Sequence, residues 1–134
     1  MPVSFAAIRK GGQYSRKHLA RIWGYRSYQA LARGVVTPRD DNKIMLFVTQ
    51  EKQNSAEPYD DRLREGILEW EGPTDHFGED RIINASDTGD EVHLFYRAVH
   101  HSDFVYHGRI RYVTHIPIAG GPTRFTFQVQ GNAT

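Results

Sequence analysis

Glu91-Val-His-Leu-Phe-Tyr-Arg97 and, further on, Phe104-Val-Tyr-His-Gly-Arg-Ile-Arg-Tyr-Val113 alternate their side chains with a period of two. That period puts successive residues on opposite faces of an extended chain and marks strands rather than helices. In the first segment Val92, Leu94 and Tyr96 fall on one side, with His93, Phe95 and Arg97 on the other. In the second, Phe104, Tyr106, Ile110 and Tyr112 are expected to share a face, opposite Arg109 and Arg111. Gly108, in the middle of that run, predicts a bulge or a close backbone approach.

The rest of the chain after Pro38 reads in the same way. Lys43-Ile-Met-Leu-Phe-Val-Thr49 is a continuous apolar run of strand length, expected to be buried on both faces. Gly66-Ile-Leu-Glu-Trp70, Arg81-Ile-Ile-Asn84 and Arg124-Phe-Thr-Phe-Gln-Val129 add further strands. Gln50 to Glu65, with Pro58, reads as a polar loop holding at most one helical turn. Gly72 to Asp80, Asp87 to Asp90 and Ile116 to Gly121 read as loops and turns. The fold class is α+β: a small helical segment over residues 1–39, then a curved, mostly antiparallel sheet of five to six strands over 40–130. Curling such a sheet into a half-open barrel hides its edges. A length of 134 residues predicts a single domain, 1–134.

The front of the chain differs in charge. Residues 1–39 carry eight Lys/Arg and no Asp or Glu; the remainder carries nine basic and sixteen acidic residues. A balance of +8 followed by −7 hides behind the formal net charge of +1. A compact positive segment attracts polyanions, and the bland alternative is a solvated charged face. The segment reads as two short helices. Ser15 caps the first, Leu19, Ile22 and Trp23 form its apolar face, and Gly24 takes the C′ position. Ser27 caps a second helix from Tyr28 to Arg33, closed by Gly34. Exposed cations and helix N-terminal amides together suit phosphate. A helix-turn-helix reading is weak, because nothing in the second helix matches a recognition helix.

Composition excludes several classes. The chain has no cysteine, hence no disulfide framework, thiol nucleophile or Cys-based zinc site. No run approaches 18 apolar residues, and the N-terminus lacks a signal-peptide core, so a cytoplasmic, non-membrane protein is expected. Gly11-Gly12 and Gly120-Gly121 are turn pairs rather than a phosphate loop, and no nucleophile elbow is present. No cofactor is called for.

Leu19-Ala-Arg-Ile-Trp-Gly-Tyr25, Ala32-Arg-Gly-Val-Val-Thr-Pro-Arg39, Ile44-Met-Leu-Phe-Val-Thr49, Tyr59-Asp60, Leu68-Glu-Trp-Glu-Gly72, Gly89-Asp-Glu-Val-His-Leu-Phe-Tyr-Arg97 and Phe104-Val-Tyr-His-Gly-Arg109 occur in this order. The string resembles a modified-DNA reader module of bacterial restriction and defence proteins, usually joined to helicase or HNH nuclease domains. The resemblance implies a PUA-like or SRA-like fold that flips a base into a pocket on a curved sheet. It implies double-stranded DNA with a modified base, such as a modified cytosine, as partner, and a nuclease or helicase domain in the same or another chain. Glu71 departs from the amide residue more usual after the tryptophan of that module, which leaves the base identity open.

A flipped base needs an aromatic face and a few hydrogen-bonding groups. Tyr59, Trp70 and Tyr96 are candidate platforms. Asp60 or Glu71 could accept from a cytosine amino group. The bland reading makes Trp70 core and Glu71 solvent-facing. Arg16, Lys17, Arg21, Arg26, Arg33, Thr37 and Arg39 are candidate backbone contacts, as are His100 and His101. The histidines His93, His100, His101, His107 and His115 match no metal-binding spacing, so no metal is expected. Asp60-Asp61 with Glu69 and Glu71 faintly suggests a metal-dependent nuclease, but the lysine such a site uses is missing. The reading is a DNA-binding module rather than an enzyme. The alternatives are a small metal-dependent nuclease and an RNA-binding PUA-like module.

Overall fold

A computed structural model describes residues 3–50, 62–73, 75–99 and 101–130. In chain order the elements are β1 (Gln13–Tyr14), α1 (Arg16–Ile22), a 3-10 turn (Tyr28–Leu31), β2 (Val35–Val36), β3 (Lys43–Thr49), β4 (Arg62–Arg64), β5 (Ile67–Glu71), α2 (Glu79–Ile83), α3 (Ala85–Thr88), β6 (Glu91–Arg97), β7 (Phe104–Ile116) and β8 (Arg124–Val129). The strands form one sheet in the order β2-β3-β6-β7-β8-β5-β4, with β1 paired to the start of β7. All neighbours are antiparallel except β3 and β6, which run parallel with Leu46 opposite Leu94. The class is α+β as read from the sequence.

Two features of the architecture differ from expectation. Among the described residues the sheet has eight strands rather than five or six. The three extra ones, β1, β2 and β4, are only two or three residues long, too short to display a period. The sheet is open rather than a half-open barrel: its path ends at β2 and β4.

Both faces carry a core. On one face Ile44, Leu46, Val48, Leu94, Leu68 and Phe127 pack with Ile82 and Ala85 of the two small helices. On the other, Met45, Phe47, Phe95, Phe104 and Tyr106 meet Leu19 and Ala20 of α1, Trp23 at its C-cap and the N-terminal segment. β3 and β6 each have five consecutive buried residues because they lie between these cores. Fully burying one such apolar side chain contributes about 1.5–3 kcal/mol.

Helix α1 forms as its sequence dictates. The Ser15 hydroxyl accepts from the His18 amide at 3.0 Å. At the other end Gly24 adopts φ +79°, and the amides of Gly24 and Tyr25 donate to the carbonyls of Arg21 and Ala20. This is a Schellman closure, which turns the chain sharply toward the 3-10 turn. That turn covers only Tyr28–Leu31, capped by the Ser27 hydroxyl on the Gln29 amide, and is shorter than the helix expected to reach Arg33.

Two further expectations are corrected. Arg81 to Asn84 is not a strand: Arg81, Ile82 and Ile83 belong to α2. Glu79 and Asp80 in its first turn and Arg81 in its last complement the helix dipole, and Arg81 grips Asp90 through Nε and Nη2 at 3.2 Å each. The faces of β7 also change partway. The ladder to β6 slips between Leu94, opposite Gly108, and Phe95, opposite Tyr106. Gly108 sits at φ +89° in this bulge. The bulge was expected, but its consequence for the faces was not. Phe104 and Tyr106 pack under α1, whereas Ile110 and Tyr112 pack with the opposite core. Arg109, opposite His93, is thereby carried to the α1 side.

Candidate nucleic-acid interface

The basic segment folds into a pair of adjoining hollows that share Tyr25. Leu19 and Ala20 face the core, which turns Lys17 and Arg21 outward, one helical turn apart on α1. Like charges at that spacing repel by a few tenths of a kcal/mol until an anion arrives. Together with Arg26, Ser27 and Tyr28 they line a hollow of about 410 Å3. The Lys17 ammonium lies 5.6 Å from the centre of the Tyr28 ring.

The second hollow, of about 260 Å3, runs beside edge strand β2 and is lined by Arg33, Thr37, Pro38, Arg39 and Phe77. The Arg33 guanidinium stacks 4.1 Å over the Phe77 ring and pairs with Asp75 at 2.9 Å. The Phe77 amide, and after it Arg33, hold the Asp75 carboxyl below its ordinary range. Both partners are exposed, at 52% and 60%. Solvent screens a pair this exposed, so a phosphate can compete for the arginine. Burial, and secondarily Asp41, push the Tyr25 phenol up, which keeps this shared wall neutral.

Lys17, Arg21, Arg26, Arg33, Thr37 and Arg39 are thus brought onto one continuous surface. Arg16 is not part of it. Its Nε donates to the Leu31 carbonyl at 2.6 Å, and its guanidinium lies over Phe47 and Phe104. Burial first, then Arg97, pull its pKa down to about 10, so it remains charged at neutral pH. Arg16 clamps α1 to the 3-10 turn. His101 occupies the β6–β7 turn with φ +70° and lines neither hollow. His100 lies outside the described residues.

Of the described residues expected to form a base pocket, Trp70 and Tyr96 are buried and Glu71 lies on the opposite face of its strand. Trp70 is 5% exposed and packs against Phe125 and Phe127 at ring distances of 5.5 and 6.2 Å. It is a core residue, not a stacking platform. Glu71 follows it on β5, opposite Arg124, and strand alternation turns it to the other face. Tyr96 is 9% exposed; its ring packs in the core and its hydroxyl donates to Gln50 Oε1 at 2.5 Å. Tyr59 and Asp60 lie outside the described residues. Among the described residues no group of three His, Asp or Glu side chains could hold a metal ion. His93 and His107 sit on opposite faces: His93 stacks on Phe5, and His107 meets Tyr96 edge-on.

Sequence reading missed the aromatic walls, Tyr25, Tyr28 and Phe77. Their signal was present, since each lies within a few residues of an arginine in the basic segment or in a Gly/Pro-rich loop. Among the described residues no helix is long and apolar enough to cross a membrane.

No family model matches the chain. No curated protein matches it either. Among solved structures it is similar to the DNA modification-dependent restriction endonuclease AspBHI, with a TM-score of 0.44 and 16% sequence identity. The match covers 69% of this chain and 32% of that one, so the chain spans about a third of that endonuclease. A likeness of that size assigns neither a fold family nor an activity.

Proposed function

We propose that this chain is a double-stranded DNA-binding module that reads a modified base, such as a modified cytosine, by extruding it from the duplex, and that it serves restriction of foreign DNA. The observation that carries the DNA-binding part is the convergence of Lys17, Arg21, Arg26, Arg33 and Arg39 on two joined hollows walled by Tyr25, Tyr28 and Phe77. Cations at the rim of a concave surface neutralise phosphates and release their counterions. Thr37 adds a hydroxyl for a phosphate oxygen. Support for the modified base comes from the ordered motifs between Leu19 and Arg109 that resemble PUA/SRA-like readers. In that reading a nuclease or helicase domain, in this protein or a partner, performs the cleavage.

The test is a fluorescence-anisotropy titration with matched duplexes carrying cytosine or modified cytosines, alongside an RNA of the same sequence. The expected result is tighter binding to one modified duplex than to the unmodified one, and weaker binding to RNA. Equal affinity for every DNA duplex removes base reading and leaves phosphate binding alone.

A further inference from the structure

A third hollow lies apart from the cationic pair, between the N-terminal segment and β7. Its volume is about 380 Å3, within the range of small-ligand sites, and Phe5, Ile8, Lys10, Tyr106, Arg109 and Gln130 line it with the bare backbone of Gly108. Phe5, Ile8 and Tyr106 belong to the core beneath α1, so this hollow opens from the same face of the sheet that α1 covers.

Its walls are held from outside. Trp23 Nε1 donates to the Ser4 carbonyl at 2.8 Å, and the Val3 amide donates to Asp41, which pins the two residues that lead into Phe5. The Phe5 ring stacks on His93 at 3.8 Å and 9°, and on Tyr106 at 5.4 Å and 28°. His93 is 3% exposed, with Glu91 Oε1 3.0 Å from Nε2 and the Tyr106 hydroxyl 2.6 Å from Nδ1. An ionised Glu91 fixes the proton on Nε2, so the Tyr106 hydroxyl donates to Nδ1 and the ring cannot swing. The aromatic floor is therefore rigid before any ligand arrives.

The rim carries two cations, and the Arg109 guanidinium also acts on the Glu91 carboxylate. The bulge at Gly108 turns Arg109 to this side, and the Lys10 stem lies 3.4 Å from where a Cβ at position 108 would sit. The Lys10 ammonium sits 3.2 Å from the Gln130 carbonyl. Among the described residues the Arg109 guanidinium and the Gln130 amide side chain have no hydrogen-bond partner. An apolar aromatic floor, two cations and a free amide match the parts of one nucleotide: a flat base with a hydrogen-bonding edge, and a phosphate.

We propose that this hollow binds a single nucleotide, with its base against Phe5 and its phosphate against Lys10 and Arg109. The nucleotide can be free in solution or belong to DNA held by the cationic surface; the second source rests on the proposed function, the first does not.

The experiment titrates free 2′-deoxynucleoside 5′-monophosphates, and separately inorganic phosphate, into the whole chain while recording amide and aromatic NMR shifts. At least one nucleotide is expected to shift Phe5, Ile8, Tyr106 and Arg109 together and saturably, and to bind at least tenfold tighter than inorganic phosphate. Arg109→Ala should weaken it about tenfold; Arg109→Gln serves if the alanine variant unfolds. Absence of shifts at these four residues, equal binding of inorganic phosphate, or indifference to both Arg109 variants overturns the proposal. Duplex DNA is then added. Competition between duplex and nucleotide identifies DNA as the source, and independent binding identifies the free nucleotide. A chain that binds nucleotide but no duplex retains this site and loses the DNA reading.

Discussion

Removing cations one at a time from the joined hollows should change the salt dependence of DNA binding in steps. Five side chains, Lys17, Arg21, Arg26, Arg33 and Arg39, face that surface. If each neutralises one phosphate, log K falls against log salt with a slope of about −4.5 on duplex DNA. Between 50 and 200 mM salt that slope amounts to a loss of about 500-fold. Arg21→Ala or Arg26→Ala should bring the slope to about −3.6 and the loss to about 150-fold. Arg33 should behave differently, because Asp75 already pairs with it at 2.9 Å. Arg33→Ala should flatten the slope by less than Arg21→Ala does, and Asp75→Asn should steepen it. Arg16→Ala should leave the slope unchanged, since that guanidinium is committed to the Leu31 carbonyl and two aromatic rings. The assay is anisotropy of a labelled duplex at four or five salt concentrations for each variant. A slope near zero, or one that Arg16→Ala flattens as much as Arg21→Ala, refutes the assignment.

Other consequences concern stability and pH. Trp70→Ala should cost about 3–5 kcal/mol in urea unfolding, as for a large core aromatic, while Trp70→Phe should keep selectivity between modified and unmodified duplexes; lost selectivity in a folded Trp70→Phe protein would restore the stacking role. Gly24→Ala should cost about 1 kcal/mol or more, because φ +79° strains any residue with a Cβ; thermal melting reads it, and an unchanged midpoint contradicts the Schellman closure. Burial holds the imidazoles of His93 and His107 below their ordinary range, with Glu91 opposing the effect at His93 and Lys10 reinforcing it at His107. A base depressed in the folded state takes up its proton more readily when unfolded, so stability should fall as pH drops below about 6.5. Glu91 adds to the decline lower down: burial raises its pKa, but His93, Arg109 and Lys43 outweigh that and leave it depressed, so its contribution is lost in the acid range. Unfolding curves at pH 7, 6 and 5 read this, and equal or greater stability at pH 5 contradicts it.

The long strands were legible because each spans enough residues to show its period, and β3 was marked by five consecutive apolar positions. Ser15 and Gly24 announced the ends of α1 through local chemistry that needs no tertiary partner. What failed depended on distant contacts. Ile82 and Ile83 resemble a strand in isolation, but the charge pattern around them and the core waiting above β6 made a helix. A glycine predicts a bulge, yet the resulting reversal of faces between Tyr106 and Ile110 needs the register with β6. The cations were found by their charge alone, and five of those on α1 and the following segment share a surface. Arg16 carries the same charge but points inward because two phenylalanines on β3 and β7 lie beneath it. Trp70 was a candidate by residue type; only the positions of Phe125 and Phe127 show it to be core.

An NMR footprint of duplex DNA on the whole chain tests the central claim most directly. Amides from Lys17 to Arg39 and of Phe77 are predicted to shift as duplex is added, while Arg64, Glu69 and Arg124 on β4, β5 and β8 remain still. Shifts confined to those last strands, with residues 17–39 unmoved, would contradict the account.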